Sequence, residues 1–130
     1  MVKFATLEYY RLMAEGINND AVFSKSGLST SMLYVLDDQK TDAGVEEAFL
    51  LNFENGKVTE VREAKPDDEA EFVYRGKYSI LAGMAKGQID GQSAVLSGMI
   101  KAKYPMMKAL MHRTTLVRLQ EISKGMTVEY

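Results

Sequence analysis

The stretch Ala70–Met111, AEFVYRGKYSILAGMAKGQIDGQSAVLSGMIKAKYPMMKALM, decides the fold. Residues 69–75 alternate, with Ala70, Phe72 and Tyr74 set against Glu69, Glu71 and Arg75 and Val73 as the exception, as in a strand. Residues 77–86 then bring Tyr78, Leu81, Ala82 and Ala85 to one side of a helix that Ile80 and Met84 widen. Gly87 is placed to end that helix. Gln88–Gly91 reads as a loop, and Asp90 or Gln92-Ser93 can cap a short helix over 92–97. Gly98 opens a strand in which Ile100, Ala102 and Tyr104 face one way and Met99, Lys101 and Lys103 the other. Pro105 suits the first turn of a final helix. There Met107, Leu110, Met111, Thr114 and Val117 recur at helical spacing until Lys124-Gly125. The β-branched pair Thr114-Thr115 predicts a weak point, with a break near residue 114.

Working outward toward the N-terminus, Leu7, Tyr10, Met13, Ala14 and Ile17 mark an amphipathic helix over 6–19. Asn18-Asn19-Asp20 stops it, and Ser24–Thr30 reads as a loop. Residues 31–37, SMLYVLD, form a continuous apolar run of strand length, expected to be covered on both faces. Residues 46–63 form a hairpin whose turn is Asn55-Gly56, a pair that accepts the positive φ values of a type I′ turn. Pairing Glu54 with Lys57 would set Leu51 opposite Glu60, a mismatch that predicts an edge or a bulge at Glu60. Lys65–Glu69 is a charged turn. Strands precede most of the helices, which gives an α+β fold: a mostly antiparallel or mixed sheet with helices packed on one face. No composition shift marks an internal boundary, so 1–130 reads as a single domain.

Bulk properties exclude several roles. A net charge of −2 lacks the concentrated basic face that a nucleic-acid binder needs. Without cysteine there are no disulfides, thiolate metal sites or thiol nucleophiles. The N-terminal residues lack the apolar core of a signal peptide, and no run is long enough to span a bilayer, so a cytoplasmic location is expected. His112 is the only histidine and stands beside Arg113, where a surface role is the expectation. Asp37-Asp38, Glu46-Glu47 and Asp67-Asp68 are adjacent pairs that diverge on a strand and make poor acid–base partners. The glycines follow neither a Walker nor a GxGxxG spacing. The expectation is therefore a protein that is not an enzyme and uses no cofactor or metal.

Methionine is the outlier: six of nine lie from Met84 onward. Its flexible, polarizable side chain suits surfaces that accept more than one shape. A concave apolar site would draw on Leu81, Met84 and Ala85 from one helix, and on Val95, Leu96 and Met99 near the short helix and strand. Met106, Leu110, Met111 and Val117 would close it, over a sheet floor of Phe49, Leu51 and Phe53. Lys101, Lys103 and Lys108 would form a modest basic patch near its rim; a solvated edge is the favoured reading, and transient contact with an anionic head group or membrane surface the alternative.

In order and spacing, these features resemble the sterol carrier protein 2 domain family over roughly residues 46–124. The resemblance rests on Ala70–Tyr74, Lys77–Gly87, Ala94, Ser97-Gly98, Lys101-Ala102-Lys103, Met107–Met111 and the Asn55-Gly56 hairpin. Two departures are Asp90-Gly91, where the family often has Asn or Asp before Pro, and Tyr104-Pro105, where it often has Gly. The resemblance implies a five-stranded sheet with helices over one face and an apolar cavity between them. It also implies non-covalent binding of a sterol, fatty acid, acyl-CoA or other lipid, with no cofactor. The competing reading is an interaction module or homodimer built on the Met-rich groove.

Overall fold

The computed structural model describes all residues, Met1–Tyr130. Its centre is β2 (Thr30–Lys40), in which Met32, Leu33, Val35 and Leu36 are all fully buried, as the continuous apolar run predicts. β2 pairs antiparallel with β3 (Glu46–Glu54), which pairs antiparallel with β4 (Lys57–Ala64). On its other side β2 pairs parallel with β5 (Phe72–Gly76), which pairs antiparallel with the short β6 (Lys101–Lys103). The five-stranded mixed sheet therefore has the order β4-β3-β2-β5-β6.

The hairpin follows its turn chemistry. Asn55 and Gly56 have φ values of 50° and 78°, and Glu54 pairs with Lys57. The Leu51–Glu60 mismatch is removed by a register shift just after the turn. Phe53 pairs with Val58, but Asn52 pairs with Glu60 and Leu51 with Val61. The extra residue turns Glu60 outward on the edge strand, where the Asn52 amide donates to it at 2.6 Å.

α1 (Leu7–Asn18) and α2 (Ala21–Ser26) lie over the β2–β4 side of one sheet face. Thr6 caps α1 by accepting from the Tyr9 amide, and the helix buries Tyr9, Tyr10, Met13, Ala14 and Ile17. α2 replaces part of the loop expected over 24–30. Asp20 caps it, Gly27 ends it in the left-handed region, and Phe23 anchors it against Phe53, centroids 6.1 Å apart. Six residues are too few for a periodic signal.

α3 (Tyr78–Ala85) starts beside Asp38, whose carboxylate accepts from the Tyr78 amide at 2.9 Å. It ends in a Schellman motif: the Gly87 amide donates to the Met84 carbonyl and that of Gln88 to the Gly83 carbonyl. α4 (Gly91–Leu96) is capped by Asp90, which accepts from the Ser93 amide at 2.9 Å. The C-terminal helix breaks at His112 rather than near 114, giving α5 (Met106–Met111) and α6 (Arg113–Lys124). No helix is long and apolar enough to cross a membrane.

The other sheet face is covered by the connection from β4 to β5, which must pass two strands. Ala64, Ala70 and Val73 pack there on Leu33, Val35, Ala48 and Leu50. Arg75 fastens the crossover through Glu46 and the Pro66 carbonyl. The termini add a parallel pair not expected from the sequence, β1 (Val2–Lys3) with β7 (Val128–Glu129). Two-residue strands carry no periodicity. They hold Phe4 against Tyr9, Tyr78 and Tyr130.

Candidate functional site: an apolar cavity under the C-terminal helices

A cavity of about 510 Å³ lies between the β2–β5 part of the sheet and the helices. Nineteen of its 25 lining residues are hydrophobic, so apolar surface decides what it accepts. Tyr34, Phe72 and Tyr74 form the floor. Tyr9, Tyr10 and Met13 of α1 make one wall, and Leu81, Met84 and Ala85 of α3 another. α4 brings Val95 and Leu96, while α5 and α6 supply Met106, Leu110, Leu116 and Val117.

Of the residues expected from the sequence, Leu81, Met84, Ala85, Val95, Leu96, Met106, Leu110 and Val117 line this cavity. Five do not. Phe49, Leu51 and Phe53 share the inward sheet face as the period-2 rule requires, but α1 and α2 sit directly on them. Tyr10 packs on Phe49 at 4.9 Å and Phe23 on Phe53. The floor belongs to β2 and β5 because the strand order sets β3 to one side. Met99, in the turn between α4 and β6, and Met111, at the last position of α5, are exposed and off the lining.

The basic rim also changes. Lys103 pairs with Val73 and Lys101 with Arg75, so both lysines project from the face away from the helices. Lys108 is tied to Glu71 at 2.7 Å and to the Ser29 carbonyl at 2.8 Å. The charged residues among the cavity lining are Arg113 and Asp90, both exposed.

The aromatic floor was missed. Its signal was present in Phe72 and Tyr74 on one face of their strand and in Tyr34, spaced two from Met32 and Leu36. Burial pushes the Tyr9 and Tyr74 hydroxyls up to about 12 and those of Tyr10 and Tyr34 well above the ordinary phenol value. All four stay protonated at neutral pH and can donate hydrogen bonds.

The walls are held together from outside. Arg118 of α6 binds Asp20 at 2.8 Å, and the Gln120 amide donates to the Met84 and Ile89 carbonyls at 3.3 Å. α5 is different: it buries no residue. Leu96 is 80% exposed, and Met106, Met107 and Leu110 are exposed as well. Leu96, Met106 and Leu110 form an apolar collar at the cavity mouth, with Met107 exposed outside the lining. His112 serves as the junction between α5 and α6, and no group of three or more His, Asp or Glu side chains is arranged to hold a metal ion.

No protein-family model matches this sequence, and no curated protein matches it. Solved structures do. A crystal structure of sterol carrier protein 2 superposes with a TM-score of 0.81 at 13% identity, covering 96% of this chain and 100% of that one. A solution structure of a conserved hypothetical protein from Thermus thermophilus gives 0.79 at 12% identity, covering 99% and 93%. Sterol carrier protein domain 2 of Helicoverpa armigera gives 0.65 at 18% identity, covering 95% and 91%. With the same mixed sheet under the same helices, this chain has the sterol carrier protein 2 fold.

Proposed function

We propose that the whole chain acts as one lipid-binding domain that holds a hydrophobic molecule non-covalently and carries it through water. The observation that carries this reading is the cavity itself: about 510 Å³, mostly apolar, with the exposed apolar side chains of Leu96, Met106 and Leu110 at its mouth. Transfer of apolar ligand surface out of water, at about 25 cal/mol per Å², supplies the driving force. The likeness to sterol carrier structures supports the same reading. The function calls for no cofactor and no turnover.

A second reading has one observation of its own. Met107 and Met111 are exposed without lining the cavity, which favours a contact made by α5 with another surface, a second copy included.

Native mass spectrometry of the protein as purified, followed by extraction, tests both. A stoichiometric lipid adduct, or saturable one-to-one binding of a fluorescent fatty acid or fatty alcohol, is the expected result. A bare monomer that binds none of these probes overturns the carrier reading. A bare dimer that also refuses them transfers the assignment to the interaction module.

A further inference from the structure

The cavity is apolar at its mouth and carries hydroxyls at its floor, which is the reverse of a simple grease-filled pocket. Tyr34 and Tyr74 of the floor stack in a row with Tyr10 of the α1 wall. Tyr10 and Tyr34 have centroids 5.4 Å apart with 25° between planes; Tyr34 and Tyr74 are 5.5 Å apart at 23°. Phe72 continues the row from Tyr74 to Tyr104. Rings stacked side by side cover one another's faces. Strand side chains stand roughly perpendicular to the sheet, so the hydroxyls of Tyr34 and Tyr74 are the parts that reach into the space above.

Those hydroxyls are underused by the protein. Tyr34 makes one weak contact, 3.6 Å to the Met32 sulfur. Tyr10 and Tyr74 bond to no protein group, yet neither is sealed away: the one enclosed, unpartnered side-chain polar atom in the molecule is the Tyr78 hydroxyl. Tyr34 and Tyr74 keep partial exposure although they sit on interior strands beneath helices, and the open space beside them is the cavity.

Arg113 is the one cation in the cavity lining, and it stays exposed to water. A carboxylate seated against Tyr34, Phe72 and Tyr74 would lose its water with no cation among those floor residues, a heavy desolvation penalty. An uncharged oxygen would find protonated phenols able to donate to it, and burial keeps them protonated well beyond neutral pH.

Resting on the carrier reading, we propose that the ligand is a lipid with an uncharged polar head, a hydroxyl or a carbonyl. The head is seated against the hydroxyls of Tyr10, Tyr34 and Tyr74, and the hydrocarbon runs out toward Met106 and Leu110. The ligand enters head first.

The test compares four probes of equal chain length, dodecan-1-ol, methyl laurate, laurate and dodecane, by isothermal titration at about pH 8, where laurate is ionised and the phenols are not. The alcohol and ester are expected to bind at least tenfold more tightly than laurate. Tyr74→Phe and the double change Tyr34→Phe/Tyr74→Phe keep the ring ladder and remove only the hydroxyls. Each lost hydroxyl is expected to weaken the alcohol and ester roughly three- to tenfold while leaving dodecane unchanged. Laurate binding as tightly as the alcohol, or Phe variants with unaltered affinities, would overturn the neutral-head assignment and leave the carrier reading standing. A protein that binds none of the four overturns the carrier reading and this proposal with it.

Discussion

Leu81 and Leu110 both line the cavity, but only one of them belongs to the folded core, and truncating each in turn separates the two jobs. Leu81 is 5% exposed and packed among buried neighbours on α3, whereas Leu110 on α5 is 60% exposed. Removing a buried leucine to alanine costs about 2–5 kcal/mol of folding stability. With a urea slope of roughly 1–3 kcal/mol per molar, Leu81→Ala should lower the unfolding midpoint by about 1–2 M. Leu110 has little contact to lose on truncation, so Leu110→Ala should shift the midpoint by no more than about 0.5 M. Ligand binding reverses the order of interest. Full burial of a leucine side chain is worth about 1.5–3 kcal/mol, and 60% of Leu110 is still in water before a ligand arrives. Covering most of that surface contributes about 1–1.5 kcal/mol, so Leu110→Ala should raise Kd about five- to tenfold. Far-UV circular dichroism against urea reads stability in a chain without tryptophan, and displacement of a fluorescent lipid reads affinity. Two results would refute the reasoning. If Leu110→Ala unfolds as early as Leu81→Ala, α5 is part of the core and not a collar. If Leu110→Ala keeps both its stability and its affinity, the ligand does not pass under α5.

Gly56→Ala should lose at least about 2 kcal/mol, because φ is +78° and the new Cβ would stand 1.8 Å from the Phe23 carbonyl oxygen. Gly44→Ala, at the same φ with open space around it, should lose only about 1 kcal/mol; equal losses in urea titrations would remove the steric half of the argument. Tyr78→Phe deletes the enclosed, unpartnered hydroxyl and should raise stability by about 1 kcal/mol, so a lower urea midpoint would show that the hydroxyl has a partner after all. The Arg118 side chain, and then the Phe23 amide, hold the Asp20 carboxyl below its ordinary value of 3.8. Its contribution is therefore complete above the unfolded value and drains away as pH falls through the folded one. The stability gap between the native chain and Asp20→Asn should be present at about pH 6 and shrink by about pH 2.5; a gap that does not change with pH would mean the ion pair does not form in solution.

Local chemistry was legible where a few residues determine the outcome. Asn55-Gly56 specified its turn, the Leu51–Glu60 conflict announced the bulge, and the weak β-branched pair flagged a helix break that falls two residues earlier, at His112. The apolar run of β2 correctly foretold burial on both faces. What covers its second face, a crossover loop fastened by Arg75, depends on strands far apart in sequence. The site was legible on its helical side for the same reason: Leu81, Met84 and Ala85 recur at helical spacing. Its floor was not. Whether Phe49 or Tyr74 meets the cavity depends on strand order, and nothing local tells β3 from β5. Alternation also shows that Lys101 and Lys103 share a face but not which face it is. Pairing with Val73 and Arg75 decides that, and turns them away from the mouth.

The size of the cavity argues that it is a designed vacancy rather than loose packing. The cavity is open to solvent at its mouth; sealed and dry, a void of about 510 Å³ would cost on the order of 12 kcal/mol at about 24 cal/mol per Å³. That is as large as the whole stability of an ordinary domain, about 5–15 kcal/mol. Two features let the chain tolerate it. The buried cores on both sheet faces take no fully buried side chain from α5. The floor ends in phenol hydroxyls, which let water stand in the space when no lipid does, a state that a purely aliphatic lining would forbid. A helix with no fully buried residue, over a hole that water can occupy, is an arrangement with little to gain from folding alone. On the proposed carrier function, it would gain when a hydrophobic guest displaces the water and covers Leu110 and Met106 on the way in, which would couple stability to loading through the same few side chains.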